Sequence, residues 1–381
     1  MFPVEKFQGV PTPFYYYDRQ LLQQTLDTIN AEAAKYAGFR VHYAVKANVD
    51  PTVLAIINQA GLGCDCVSGG EVEVCLKAGF PADKVVFAGV GKADWEIELA
   101  LDADIACFNV ESVPELDVIN EIASKKGKVA NVAIRVNPNV DAHTHKYITT
   151  GLSENKFGIS MEMLDMVIHH TLGLKNVKLI GLHFHIGSQL LELDPFTMLC
   201  ARINELQDRL EQQGVVLKTI NVGGGLGCDY VHPDENPIPD FASFFKNYAD
   251  HIKLRSGQEL HFELGRSVVC QMGSLISKVL YVKEGLNKKF VILDAGMSDL
   301  IRPALYQAHH NIENLTAAAD GRTEKYDVVG PICESSDCFG TDEILPVTKR
   351  GDLVALRSAG AYGQIMASNY NCRRIPASLV L

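Results

Sequence analysis

The sequence has no uninterrupted apolar run long enough to cross a membrane as a helix, no block of basic residues and no low-complexity linker. The first absence excludes an ordinary helical membrane protein. The second, with 35 basic residues against 46 acidic ones and a formal charge of −11, argues against a nucleic-acid surface. Residues 1–20 carry Pro3, Glu5, Lys6, Pro11 and Pro13 and no apolar stretch of signal-peptide length, so a cytoplasmic location is expected. Cys-x-x-Cys pairs are missing too. The 10 cysteines are scattered, most of them in apolar segments such as those around Cys75, Cys107, Cys200 and Cys270. They read as buried thiols in a reducing compartment, with no metal site and no dithiol motif. Cys333 stands apart, because the polar loop Cys333-Glu334-Ser335-Ser336-Asp337 gives no reason for burial.

What is present is length and a rhythm. The 381 residues, 47% of them hydrophobic, suffice for one large domain and a smaller one. After an extended segment at 11–18 and a helical pattern over 19–36, strand-like segments recur at 39–47, 63–68, 85–90, 105–110, 131–137, 179–187, 219–224 and 259–264. Amphipathic helical patterns at 69–79, 112–125, 161–171, 196–213 and 240–253 separate most of them. Strands alternating with helices imply parallel pairing, and the most economical closure is an α/β fold of the (β/α)8 barrel type, with an open doubly wound sheet as its competitor. Beyond this, 268–283, 290–294, 326–329 and 352–356 read as strands with few helices. The expected organisation is a barrel over 26–266 and a β domain built from 1–25 and 267–381.

In such a barrel the chemistry sits at the C-terminal ends of the strands. Strand one, Val41-His42-Tyr43-Ala44-Val45, ends in Lys46. An isolated lysine there is ordinarily a solvated terminus. At the mouth of a site its neutral amine can instead hold an aldehyde cofactor. In strand six Ile180, Leu182, Phe184 and Ile186 would face the helices, turning Gly181, His183 and His185 inward. Strand eight repeats the pattern, with Leu260, Phe262 and Leu264 outward and His261 and Glu263 inward. Asp65 on strand two and Arg135 on strand five also point inward and could form a buried ion pair, more a structural support than chemistry. The loops after strands seven and eight, Gly223-Gly224-Gly225-Leu226-Gly227 and Gly265-Arg266, occupy the usual phosphate position of these barrels, where glycines let backbone N–H groups approach closely. A lysine, an imidazole, a carboxylate and a phosphate cradle are the groups that pyridoxal 5'-phosphate requires. Glu263 has an equally plain structural reading, a salt bridge to His261 or Arg266.

Taken together, Tyr43-Ala-Val-Lys46-Ala-Asn48, His183-Phe-His185-Ile-Gly-Ser188-Gln189, the glycine run, Glu263-x-Gly-Arg266, Cys333-Glu334-Ser-Ser-Asp337 and Gly360-Ala-Tyr362 resemble the barrel-type (fold type III) pyridoxal-phosphate decarboxylases, and among them the diaminopimelate decarboxylase family. The resemblance runs from about Pro11 to about Pro376. It departs at Leu264, where the family usually has proline, a change that removes no reactive group. The resemblance implies a lyase that converts meso-2,6-diaminopimelate to L-lysine and CO2, the last step of lysine biosynthesis. By the same resemblance Lys46 bonds the cofactor, His185 stacks on its ring, and Glu263 pairs with the ring nitrogen. Ser188, Gly223, Gly224, Gly225, Gly227 and Gly265 hold the phosphate. Arg266, Arg302 and Tyr306 bind substrate carboxylate, Cys333 protonates the carbanion, Glu334 takes the distal ammonium, and Tyr362 lies against cofactor and substrate. It also implies a homodimer with shared active sites. A decarboxylase of ornithine, arginine or lysine is the nearest alternative, although a second carboxylate is the better reason for fixed arginines. An amino-acid racemase on a similar barrel and an inactive relative acting as a binding protein are more distant ones. His309 and His310 read as a polar helix end, and no firm role attaches to Thr144-His145.

Overall fold

A computed structural model describes residues 2–140 and 156–381; the Thr144-His145 loop lies outside them. Eight parallel strands close into a barrel: Phe39–Ala44, Gly63–Cys66, Val85–Phe87, Cys107–Val110, Ala130–Asn137, Val177–His183, Thr219–Asn221 and Glu259–Leu264, each paired to the next and the last paired to the first. Helices follow most strands, including Pro51–Gln59 and Asp94–Asp102, where the sequence pattern is too short to stand out. The (β/α)8 expectation holds.

The outward faces of the strands meet amphipathic helices. The helix before the eighth strand shows how: Phe241, Phe244, Phe245 and Tyr248 recur at helical spacing along Phe241–His251. Three of their rings surround Phe262 of the eighth strand, with centroids 5.7, 5.0 and 5.2 Å away for Phe244, Phe245 and Tyr248. Asp240 caps this helix by accepting from the Ser243 N–H at 2.9 Å. Burying one such aromatic ring contributes roughly 1.5–3 kcal/mol, so this cluster fixes which face of the eighth strand is turned outward, and hence that Glu263 points in.

Several strands stop short of the bounds that hydrophobic alternation suggests. The first ends at Ala44, and Lys46 lies in a tight 3-10 turn, Val45–Ala47. The turn is held by the Tyr43 hydroxyl, which donates to the Asn48 carbonyl at 2.9 Å, and by the Asn48 side chain, which accepts from the Asp50 N–H at 2.8 Å. Asp50 then caps the helix Pro51–Gln59. Local side-chain bonds of this kind compete with strand pairing. The sixth strand likewise ends at His183, so His185 sits in the loop beyond it.

At the other end of the barrel interior His42 and His261 stack, with ring centroids 5.0 Å apart and Nε2 of the first 2.9 Å from Nδ1 of the second. Burial lowers both imidazoles, to about 3 for His42 and about 4 for His261.

Contacts divide the chain into two compact units, one of residues 25–227 and 240–265, the other of residues 1–24, 228–239 and 266–381. The segment 228–239 groups with the C-terminal part although it interrupts the barrel in sequence. The second unit is built on an eight-stranded sheet whose hub is Gly273–Glu284, paired antiparallel with Phe14–Tyr17, Leu353–Leu356 and Lys289–Leu293. Its core gathers Phe7, Phe14, Tyr16, Ile276 and Ala355. Residues after Gly265 begin with a helical turn, Arg266–Val269, and not with the strand expected from 268. Cys338–Pro346 is a strand that the sequence pattern does not reveal. Among the described residues no helix is long and apolar enough to cross a membrane.

The histidine pair generates a pH prediction. The unfolded chain binds protons at these two sites below about pH 6.5, whereas the folded chain resists them until about 4 and 3, so stability falls as pH falls through that window. In His42→Gln the fall is shallower: the gap in Tm between wild type and variant narrows, or changes sign, from pH 7 to pH 4.5, as followed by thermal melting.

Candidate active site

Four inward side chains meet at the centre of the barrel. The Glu263 carboxylate accepts from Asn221 Nδ2 at 2.7 Å and Asn109 Nδ2 at 3.1 Å on Oε1, and faces His183 Nε2 at 2.9 Å on Oε2. All four residues are at most 7% exposed. Burial works to raise the Glu263 carboxyl, but its hydrogen bonds to the His183 imidazole and to Asn221 hold it well below the usual carboxylate range. Glu263 therefore stays ionised, and with an ionised partner His183 donates from Nε2. His261 bonds His42 and Glu259 instead. Three donors leave an ionised carboxylate with room for one more.

Asp65 behaves oppositely. It lies buried, and its Oδ1 has no hydrogen-bond partner among the described residues. Burial and the repulsion of Glu263 push its carboxyl well above the usual range, against the pull of Lys46. One carboxyl pushed down and a second pushed up inside the same barrel is a division seen where acid–base roles are separated. The Asp65–Arg135 ion pair that the alternation allows does not form. Arg135 Nη1 bonds Glu111 Oε1 at 2.9 Å, and the other Glu111 oxygen accepts from the Gly158 N–H at 3.0 Å. Glu111 follows the fourth strand and is the nearer carboxylate, which the alternation argument overlooks.

Lys46, half-buried on its turn, exerts its charge on Asp65, Glu71 and His185. Glu71 is fixed by a reciprocal cap, accepting from the Val67 N–H at 2.7 Å while its own N–H bonds Ser68 Oγ. His185 Nδ1 accepts from the Gly224 N–H at 3.3 Å. Burial first, and then the charges of Lys46 and Arg135, press the His185 imidazole well below its usual range, so the ring is neutral and flat.

The loops after strands six and seven are laced together. Leu190 N–H donates to the Gly225 carbonyl and Gly227 N–H to the Leu190 carbonyl, both at 2.9 Å. Gln189 takes a positive φ of 63° beside Gly227. The glycines are required here: a Cβ on Gly223 would strike the Phe184 carbonyl, and one on Gly224 the Glu263 carbonyl. Ser188 is half-buried in the same loop system. A lysine, a neutral imidazole, an ionised carboxylate with one acceptor position left and a glycine cradle together fit pyridoxal 5'-phosphate.

The second unit carries the remaining candidates. Arg266 and Arg302 are buried, 7% and 6% exposed, around Tyr230. Arg266 Nη1 donates to the Tyr230 hydroxyl at 2.6 Å, and the Arg302 guanidinium lies 4.8 Å from the centroid of that ring. Tyr362, at a positive φ of 57°, places its ring 4.9 Å from the Arg266 guanidinium. Tyr230 escapes a motif-based reading, although it lies just beyond the glycine loop. Arg302-Pro303 opens the short helix Arg302–Tyr306, and Tyr306 is half-buried at its end. His310 is fully buried and is not the polar helix end expected, because it is hydrogen-bonded to Arg302. Cys333 and Glu334 are exposed on a loop shaped by Asp337, whose carboxylate accepts from the Met297 and Ile332 N–H groups, both at 2.6 Å. Tyr370 donates to Glu334 at 2.6 Å.

Comparison with known proteins identifies the family to which the fold belongs. Residues 22–270 match the family model described as "Pyridoxal-dependent decarboxylase, pyridoxal binding domain". The chain is 64% identical to a diaminopimelate decarboxylase of Bacteroides thetaiotaomicron, over 99% of this chain and 97% of that one. It is 44% identical to one of Neisseria meningitidis serogroup B, over 97% and 88%. Among solved structures, the Helicobacter pylori diaminopimelate decarboxylase complexed with L-lysine superposes with a TM-score of 0.92 at 39% identity, covering 99% of this chain and 93% of that one. A Vibrio vulnificus lysine/ornithine decarboxylase shares the fold, with a TM-score of 0.86 at 21% identity. The fold and the barrel site thus define a pyridoxal-dependent decarboxylase of the barrel class. Within that class the chain belongs to the diaminopimelate decarboxylase family.

The cradle can be tested directly. Gly224→Ala should cost about 1–3 kcal/mol of stability through overpacking and weaken pyridoxal 5'-phosphate binding by at least ~10-fold, read by titration of the bound cofactor's visible absorbance. Unchanged affinity would remove the loop from the cofactor site.

Proposed function

We propose that the protein decarboxylates meso-2,6-diaminopimelate to L-lysine, the closing reaction of lysine biosynthesis, with the residues assigned as follows. The observation that carries the reading is the ionised Glu263 held among His183, Asn109 and Asn221 within the same barrel as Lys46. Bound pyridoxal 5'-phosphate supplies an aldehyde for covalent attachment and an electron-poor ring that takes up the electron pair left when CO2 departs.

Lys46 would hold the aldehyde carbon covalently through Nζ, and its amine, when free, would serve as a base. His185, neutral and planar, would pack against the cofactor. Glu263 keeps a proton at the ring nitrogen, for which a permanently charged, dry carboxylate is suited. Backbone N–H groups of Gly223, Gly224, Gly225, Gly227 and Gly265, with the Ser188 hydroxyl, hold the phosphate. Arg302, with Arg266 and Tyr306, binds substrate carboxylate. Two buried guanidiniums favour a substrate with a second carboxylate over ornithine or arginine, whose far ends are cationic. Glu334 takes the distal ammonium, Tyr362 lines the site, and Cys333 delivers a proton to the α-carbon. The exposure of Cys333 and Glu334 supports a homodimer in which this loop serves the other subunit's site. The free cysteines, 7 of them buried, suit a reducing cytoplasm.

CO2 release from meso-diaminopimelate, L-ornithine and L-arginine tests the substrate. The first should be turned over and the others not, and Lys46→Ala should abolish the reaction; preference for either of the others would overturn the assignment. Cys333→Ala should slow turnover and leave cofactor binding intact. Mixed with Lys46→Ala subunits, it should recover up to about a quarter of wild-type activity, the share expected of randomly reassorted dimers with shared sites. No recovery after demonstrated subunit exchange would place Cys333 outside the partner's site.

A further inference from the structure

His310 is wholly buried in the second unit and both ring nitrogens are engaged. Nδ1 lies 2.8 Å from the Arg357 carbonyl oxygen, which can only accept, so Nδ1 carries the proton. Nε2 lies 2.8 Å from Arg302 Nη1, which can only donate, so Nε2 presents its lone pair. The two bonds fix a neutral ring in one tautomer. The Tyr230 ring meets the imidazole edge to face, with centroids 5.4 Å apart and an interplanar angle of 87°, and also underlies the Arg302 guanidinium. Among the described residues no carboxylate lies within ion-pair distance of Arg302. Its charge is held in place by a neutral acceptor and an aromatic face.

That choice of partner matters physically. An aspartate or glutamate at position 310 would orient the guanidinium as well, but it would neutralise it and occupy its fork. A neutral imidazole engages one N–H of the guanidinium and leaves the full charge and the remaining donors for an anion. We infer that His310 is a positioning and specificity-determining residue, which orients Arg302 while keeping its charge uncompensated for the second carboxylate of a dicarboxylic substrate. This rests on the reading that Arg302 binds substrate carboxylate. The groups around the imidazole agree with it: burial, then the Arg302 charge and, more remotely, His309 and Arg266 hold it neutral far below its usual range, against the Arg357 carbonyl that accepts from Nδ1.

The test is steady-state kinetics of the holoenzyme with meso-diaminopimelate for His310→Gln, His310→Glu, His310→Ala and Arg302→Ala, with cofactor absorbance confirming a folded site. A charge-assisted bond to a buried guanidinium corresponds to roughly 10- to 100-fold in binding. His310→Ala and His310→Glu should raise KM by that factor and leave kcat within about 3-fold, whereas His310→Gln, which keeps a neutral acceptor, should recover most of the loss. If Arg302→Ala leaves KM unchanged, the carboxylate reading falls and the inference with it. If Arg302→Ala raises KM but His310→Glu binds substrate like wild type, only the inference falls. A measurement on wild-type protein covers variants that fail to fold. With [15N]histidine labelling, Nε2 of His310 should stay unprotonated from pH 8 to pH 5.5, and a protonated Nε2 at pH 7 would overturn the proposal.

Discussion

Glu263 carries its charge at the centre of a closed parallel barrel, where an isolated carboxylate would lose several kcal/mol of hydration, and three other strands are committed to keeping it there. Asn109 comes from the fourth strand, His183 from the sixth and Asn221 from the seventh, so the hydrogen bonds to one carboxylate tie opposite walls of the barrel together. Removing any one donor would leave the charge partly unsatisfied in a dry interior. The outward cluster around Phe262 acts on the same strand from the other side. Core packing and site electrostatics are therefore two faces of one alternation.

The loops depend on that arrangement in turn. Gly224 passes so close to the Glu263 carbonyl that only glycine fits, and its N–H bonds His185. The imidazole is placed by the same loop that the carboxylate's strand supports. The Lys46 turn, tied by Tyr43, Asn48 and Asp50, brings a cation to bear on Asp65, Glu71 and His185. In the second unit the same physical device recurs with the sign reversed: two buried guanidiniums gather around Tyr230.

Period-two alternation in the sixth and eighth strands is enough to turn His183 and Glu263 inward, and the βα rhythm is enough for the barrel. The same alternation would find Asn109 and Asn221, which sit on short strands between apolar neighbours, but amides carry no charge to draw notice. Partner choice is less legible. Alternation matches Arg135 to Asp65 because both point inward, yet Glu111, on a loop just past the fourth strand, bonds it instead. No periodicity governs a loop residue. His310 escapes for a related reason: a histidine after a short helix looks polar, and only the fold reveals the Arg357 carbonyl and the Arg302 guanidinium that bury it. Strand ends are overrun wherever a side chain caps a turn, as at Lys46.

On the proposed reading, the ionised Glu263 makes the barrel a site for carbanion chemistry. Replacing Glu263 by glutamine preserves size and most hydrogen bonding while removing the charge. Single-turnover decarboxylation of meso-diaminopimelate by cofactor-loaded Glu263→Gln should fall by about 100- to 1000-fold, the range typical for loss of one preorganised electrostatic group, with the cofactor still bound. A rate within a few-fold of wild type, at equal cofactor occupancy, would mean that the Glu263 charge is not needed for the reaction.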